Sequence, residues 1–574
     1  MSISKIKKTL LVILLLLAPS LVTAQGVDPA MLAKPATDSW PTYSGDYSSR
    51  RFSSLTQINQ SNVKNLALAW VGHVSAGPGG GLGAAAGGVP TIVGGEVAEP
   101  VAVVPIGGPA GALRLSGAIL EVNGILYITS PDNAWAMDAR DGTVLWHYFW
   151  KTKGGTHIGN RGMGMYGDWL FFETPDDYLV SLDAKTGKER WHKVISDFDE
   201  QYFSTMAPVV IGNHLIVGTG DDLDAPGFLQ SFDPETGDLQ WKWYTEPERM
   251  GDPGSETWPN LDSMRHGGGG VWVPGSYDPE LHLYYFGTAN PTPAFSGVAR
   301  EGDDLYTSCL VALNVDTGKL AWYFQPSPHD THDWDSGQTP VIVDGEFNGK
   351  PRKLLLDASR NGYFFVLDRV TGEHLLTAPV TTTVNWTKGF DKRGQPIRNP
   401  AKDATPGGSL VSPTLDGALN WPPPSFDPDT GLFYVPTNEA YSEFYLSEPD
   451  LRAIQGLSGS QGHDVGLIGN YLTAIDYKTG KIAWRHLNPT AGAPVTSGGG
   501  GIASGGTGLL TTAGKLLFGS DVNGNFVAYD PANGRPLWHV HLGVVSNAAE
   551  TYLLDGRQYV LVSSGDAVYA FTVN

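Results

Sequence analysis

The sequence has one cysteine, Cys309, in 574 residues. That excludes an intrachain disulfide, a cysteine-built zinc site and a CxxCH haem attachment. Charge is scarce as well. Asp, Glu, Lys and Arg make up 17% of the chain, and 38 basic residues stand against 59 acidic ones, for a net charge of −21. So acidic a surface argues against nucleic acid and anionic membranes as partners and suits a cationic one. Past the N-terminus no apolar run is long enough to span a membrane. The one apolar run lies in "MSISKIKKTLLVILLLLAPSLVTAQG". Lys5, Lys7 and Lys8 precede it and small residues close it before Gln25, which is the three-part pattern of a secretory signal peptide over 1–24. Losing those three lysines would lower the charge from −21 to −24, and the mature chain is expected in the periplasm.

Glycine, proline and tryptophan are abundant, at 73, 40 and 17 residues, which points to short strands and tight turns. One phrase recurs. It reads "AMDARDGTVLW" at Ala136–Trp146, "SLDAKTGKERW" at Ser181–Trp191 and "SFDPETGDLQW" at Ser231–Trp241. It returns as "ALNVDTGKLAW" (Ala312–Trp322), "AIDYKTGKIAW" (Ala474–Trp484) and "AYDPANGRPLW" (Ala528–Trp538), and as "VLDRVTGEHLL" (Val366–Leu376) with leucine for tryptophan. Each copy reads as a hairpin: a strand ending at Asp or Asn, a turn closing with Gly, and a strand bearing Trp. With a second strand pair upstream, the unit is a four-stranded β-propeller blade whose Trp packs on the turn of its neighbour.

The copies stand mostly 45 to 54 residues apart, with gaps of 81 (Asp233 to Asn314) and 108 (Asp368 to Asp476). Each long gap hides either a blade without the phrase or inserted loops. "SFDPDTGLFYVPT" (Ser425–Thr437) resembles an altered blade, and seven copies plus this one predict an eight-bladed all-β propeller over 25–574. The last blade is expected to close with strands from both ends, "SWPTYSGDYSSRRFS" early and "RQYVLVSSGDAVYAFTVN" late. Residues 75–112, rich in Gly, Ala, Pro and Val, read as an insertion in the first blade.

Chemistry concentrates in "PHDTHDWDSGQ", Pro328–Gln338, where Asp330, Asp333 and Asp335 accompany His329 and His332. Oxygen donors select a hard cation over zinc or copper. His329 and His332 have no third nitrogen or sulfur partner nearby and read as structural or solvated. An EF-hand fails, because Gln338 stands where that loop needs glycine if Asp333 opens it.

The A-x-D-x-x-T-G-x-x-x-W phrase in an exported propeller resembles the pyrroloquinoline quinone (PQQ) dehydrogenases, specifically the methanol-dehydrogenase-like alcohol dehydrogenases without a haem domain, over nearly the whole mature chain. The resemblance implies PQQ at the propeller centre, lying on a tryptophan and bound to Ca2+ or a lanthanide ion. In "GGGGVWVPGSYDPELHLYYFGTANPTP" (Gly267–Pro293), Trp272 takes the platform position and Asn290 a metal-ligand position. Arg360 of "ASRNG" would face the quinone oxygens. Arg161 of "GNRG", Thr205 of "STMAP", Asn420 of "GALNWPPPSFDP" and Gly220 of "VGTGDDLDAPGFL" would be cofactor contacts.

The "DWDS" core matches Asp333 to the general base, which takes the alcohol proton as hydride leaves to PQQ. Asp335 matches the extra aspartate of relatives that use a lanthanide. On an extended segment residues i and i+2 face one way, so both carboxylates could reach one ion. A further metal ligand is a glutamate in the family. Register from "GFL" gives Asp222 here, or Asp221 if a gap falls elsewhere.

The sequence departs from the family at three places. Gly155 and Thr156 replace an adjacent cysteine pair that caps PQQ, leaving the face opposite Trp272 to backbone or "THIG". Ser116 replaces a cofactor-contacting glutamate, unless Glu121 shifts register. A late site tryptophan has no counterpart in "SGGGGIASGGTG" (Ser497–Gly508). The expected function is oxidation of an alcohol, or of a related hydroxyl or aldehyde substrate, by hydride transfer to PQQ, with electrons passed to a separate acceptor such as a soluble cytochrome c because no haem motif is present. The competing expectation is a cofactor-free propeller that scaffolds assembly in the envelope.

Overall fold

In the computed structural model, residues 26–76, 113–155, 159–200, 202–220, 223–446, 460–488 and 507–573 are described. The proposed signal segment, the 75–112 insertion beyond Ala76, Thr156, Asp221, Asp222 and most of 497–508 lie outside them.

Among the described residues, eight sheets of four or five strands form the body, with one small hairpin beside them. Seven are consecutive meanders, here blades 1 to 7, over residues 120–149, 164–194, 209–244, 276–324, 341–379, 425–488 and 510–541. Blade 8 joins Glu550–Leu554, Arg557–Ser564 and Ala567–Thr572 to Ala67–His73, paired antiparallel from Ala67↔Thr572 to His73↔Ala567. First strands are mainly buried, as at Leu120–Val122 and Ser276–Asp278, while fourth strands such as Val144–Phe149 alternate between exposed and half-buried. First strands therefore face the axis and fourth strands face solvent.

The repeated Trp makes the predicted contact between blades. The indole Nε1 of Trp146 donates to the carbonyl of Ala184, Trp191 to Glu235, Trp241 to Val315, Trp322 to Arg369 and Trp484 to Pro531, each in the next blade's phrase. Leu376 takes the same place against Gly480 of blade 6, and Trp538 packs edge-on to Phe571 of blade 8. Trp70 then donates to Ala139 of blade 1 at 3.1 Å, closing the ring. The phrase needs glycine because of this contact. Gly372 has φ +74°, and a Cβ there would lie 2.8 Å from the Trp322 ring.

Two expectations need correction. Ser425–Thr437 is not a separate blade; Ser425–Asp427 and the start of Leu432–Leu446 form the first hairpin of blade 6, which also holds the Ala474–Trp484 phrase. Among the described residues both long gaps hold inserted loops, and the second also holds the lengthened strands Leu432–Leu446 and Ser460–Asp476. The early closing strand is Ala67–His73 rather than the "SWPTYSGDYSSRRFS" segment. That segment instead bonds to the inner edges of the blades around the axis. Residues 27–51 exchange hydrogen bonds with all eight blades: Val27 with Gly167, Asp38 with Leu553, Trp40 with Glu121, Tyr47 with Val210 and Tyr277, Ser48 with Ile342, Arg50 with Phe426, and Arg51 with Thr511.

Candidate active site

In a meander, the turn between strands two and three and the connection to the next blade leave by the same end. Every described candidate lies on one of these segments. Arg161, Thr205, Trp272, Asp333, Asp335 and Asn420 are on connectors between blades, and Ser116 is on the connector entering blade 1. Gly220, Asn290 and Arg360 follow second strands. The fold thus gathers them on one face.

Trp334 explains the acidic stretch. Its indole is 1% exposed, stacks on His332 at 4.4 Å, meets Trp386 edge-on at 5.3 Å and donates to the carbonyl of Thr414 at 2.9 Å. Asp330 braces the loop, accepting from the backbone N–H of Trp334 at 2.8 Å and of His332 at 3.3 Å. Burial raises its carboxyl to about 6. With Trp334 anchored in the core, Asp333 and Asp335 both turn to Arg360. One guanidinium nitrogen lies 2.6 Å from Asp335 and the other 3.5 Å from Asp333. The segment is not regularly extended, because Asp333 has φ +64°; the carboxylates converge through this left-handed turn rather than by strand alternation.

Asn290 completes the group. Its backbone N–H donates to the other oxygen of Asp335 at 2.7 Å. The approach depends on Gly287, where a Cβ would lie 1.5 Å from the carbonyl oxygen of Ser336. The side-chain Oδ1 of Asn290 is buried with no hydrogen-bond partner among the described residues. A buried acceptor without a donor is costly, and beside two carboxylates it has the character of an open ligand for a hard cation. The residues present therefore fit a metal ion there, although Asp222, the expected further ligand, is outside the described residues.

On the cofactor side, Arg161 donates to both oxygens of Thr205 and lies over Trp272, its guanidinium carbon 4.3 Å from the ring centroid. The flat, 5%-exposed Trp272 beside a cation fits an anionic planar group. Gly220 donates to Phe203 at 2.6 Å. Asn420 donates to Asp416 and accepts from the N–H of Trp421, while its loop holds Arg360 through Ala418 N–H to Arg360 C=O at 2.8 Å. Ser116 stands one residue before Gly117, which packs on Arg161 and Gly162. Glu121 accepts from Gly124 at the opposite end of blade 1, so the alternative register for it falls.

The histidines are structural. Burial lowers His329 to about 3 and His332 to about 4, and their ring nitrogens face the carbonyls of Gly302 and Lys402. Two residues were not foreseen. Trp421 follows Asn420 directly and lies 4.9 Å from the Arg161 guanidinium. Glu173, at the end of a second strand, is buried near the backbone amides of Met206 and Gly218 and near Arg161, yet neither carboxyl oxygen has a well-formed hydrogen bond among the described residues. Burial, reinforced by Asp177, raises its carboxyl well above the ordinary range.

Residues 40–383 and 470–560 match the family described as PQQ glucose/ethanol/alcohol dehydrogenase, β-propeller domain. Among relatives, the quinoprotein alcohol dehydrogenase PedH of Pseudomonas putida is 34% identical over 77% of this chain and 77% of its own length. A 1-butanol dehydrogenase (cytochrome c) of Thauera butanivorans is 30% identical over 92% of this chain and 74% of its own. Among solved structures, a europium-containing methanol dehydrogenase superposes with a TM-score of 0.77 at 25% identity, covering 93% of this chain and 98% of that one.

Proposed function

Since the chain belongs to the PQQ-dependent alcohol dehydrogenases, we propose that it works in the periplasm as one mature propeller over 25–574, with Asp333 as general base and a Ca2+ or lanthanide ion held by Asp333, Asp335, Asn290 and Asp222. The observation that carries the site assignment is the convergence of Asp333 and Asp335 on Arg360 beside the unpartnered Oδ1 of Asn290. PQQ, when bound with its cation, supplies the hydride acceptor and a Lewis acid.

The chain's own residues do the rest. Trp272 provides a flat floor, and Arg161, Thr205, Asn420, Ser116 and Gly220 supply polar edges. Asp333, the more open of the two acids at 18% side-chain exposure against 0% for Asp335, takes the hydroxyl proton of the alcohol on its carboxylate. Arg360 holds Asp335 by a charge-assisted hydrogen bond and Asp333 by an ion pair, and is itself braced on the carbonyl of Leu415. Electrons then pass to a separate acceptor. A cationic cytochrome c suits the net charge of −21, and the relative from Thauera butanivorans carries that acceptor in its name. A scaffolding role gives no reason for these buried groups to converge.

The test is dye-linked alcohol oxidation by protein reloaded with PQQ, with calcium and with lanthanum in parallel, for wild type and Asp335→Ala. Lanthanum preferred by wild type and lost in the variant supports the ion assignment. Calcium preferred by both removes the lanthanide, and no turnover with either ion overturns the site. With cytochrome c as acceptor, the rate should fall as salt rises; a flat response would exclude the electrostatic partner.

A further inference from the structure

The following rests on the reading that this site binds PQQ. The family resemblance implies a cysteine pair capping the cofactor where this chain has Gly155 and Thr156, which leaves the face turned away from Trp272 without that cap. We propose that Trp421 covers this face instead: the planar cofactor lies in a slot between the indoles of Trp272 and Trp421, and Arg161 moves from the slot to its edge.

The slot is visible through the group that lies in it. The Arg161 guanidinium carbon is 4.3 Å from the Trp272 ring centroid and 4.9 Å from that of Trp421. Trp421, half-buried, packs against the small cluster of Trp272, Val273 and Ala289. The three side chains come from three different connectors, between blades 1 and 2, 3 and 4, and 5 and 6, so the arrangement is tertiary and not a local turn. Trp421 is also held firmly. Its N–H donates to Asn420 Oδ1 at 2.8 Å, Asn420 donates to Asp416 at 3.2 Å, and Ala418 ties the loop to the backbone of Arg360.

A guanidinium is flat and cationic and stacks well on electron-rich faces. A conjugated quinone has the same thickness but a negative edge of carboxylates. It takes the two faces by dispersion and leaves the guanidinium to pair with a carboxylate, a stronger contact for the cation than an indole face. Arg161 is already tethered beside the slot through Thr205, so its displacement is short. Trp272 is the buried wall and Trp421 the half-buried one, so a ligand enters on the Trp421 side.

The experiment uses the full chain stripped of cofactor and titrated with PQQ. It follows the quenching of tryptophan fluorescence and the loss of PQQ absorbance that stacking produces. Trp421→Ala is expected to weaken PQQ binding roughly five- to tenfold, the range of one aromatic contact, and to reduce the absorbance change. Trp421→Phe, which keeps a flat face, is expected to restore most of both and guards against misfolding of the alanine variant. Wild-type affinity and an unchanged absorbance change in Trp421→Ala would overturn the cap while leaving the cofactor reading intact. A wild-type protein that binds no PQQ would overturn the cofactor reading, and the cap with it.

Discussion

Asp333 adopts φ +64°, a conformation that costs a residue with a side chain about 1–2 kcal/mol and that aspartate tolerates better than most. The turn sends Trp334 into the core and brings Asp333 and Asp335 to the same guanidinium. Asp333→Asn keeps the shape and removes the basicity. It is expected to lower kcat by about 10²- to 10⁴-fold, the usual worth of a general base; single-turnover kinetics on protein saturated with PQQ and its ion checks this. A kcat within tenfold of wild type would move the base elsewhere. These acids were legible because the stretch is dense in titratable groups and matches a family motif. Trp421 was not, because a tryptophan before three prolines reads as ordinary core. Glu173 was not either, since the amides near it belong to Met206 and Gly218 of the next blade and its connector, with no local pattern to announce them.

At the scale of elements, the docked tryptophan is the unit of blade-to-blade adhesion. Trp322 is 8% exposed, lies 5.7 Å from Tyr285, donates to Arg369 and covers Gly372. Trp322→Ala is expected to destabilise the fold by about 3–5 kcal/mol, as large-to-small changes in packed cores do. Gly372→Ala is expected to destabilise too, through its positive φ and the closed space above it. Both are read as lower urea midpoints, and a Trp322→Ala midpoint matching wild type would refute the docking role. Seven copies of the phrase gave seven blades correctly, including the one with Leu376. The eighth was counted from Ser425–Thr437, which lies in blade 6; of the true closing blade only the late strands were foreseen. Its docking residue, Trp70, stands in "ALAWVGH" without the Asp–Gly turn, because its strand pairs with Ala567–Thr572 rather than with a strand beside it in sequence.

Across the whole molecule, buried acids cluster where the early segment meets the blades. Glu121, beside Trp40, and Glu550, 3.9 Å from Arg51, are each raised by burial to about 8, as is Asp357. The fold keeps these protons up to pH 8, while an unfolded chain releases them near 4. Stability is therefore complete at low pH, falls as pH rises from about 4 toward 8 and levels off above it, by on the order of 2 kcal/mol per group between pH 6.5 and 8.5. His329 and His332, held neutral by burial, act in the opposite direction but only below their ordinary value of 6.5. The melting temperature at pH 8.5 should therefore lie below that at 6.5, and Glu121→Gln should shrink the difference. A melting temperature that is flat or rises over this range would contradict the buried-acid account.

The early segment also imposes a timetable. Ile58 bonds to Gln558, 500 residues away, and Ala67–His73 pairs with Ala567–Thr572. At the usual pace of translation, about 5–20 residues per second, an early segment waits roughly 25–100 s for such a partner to exist. Until then blade 1 has no neighbour on its Trp70 side, and the strands around the axis lack their lining. A propeller closed in this way stays incomplete throughout its own synthesis, a state compatible with the export proposed above.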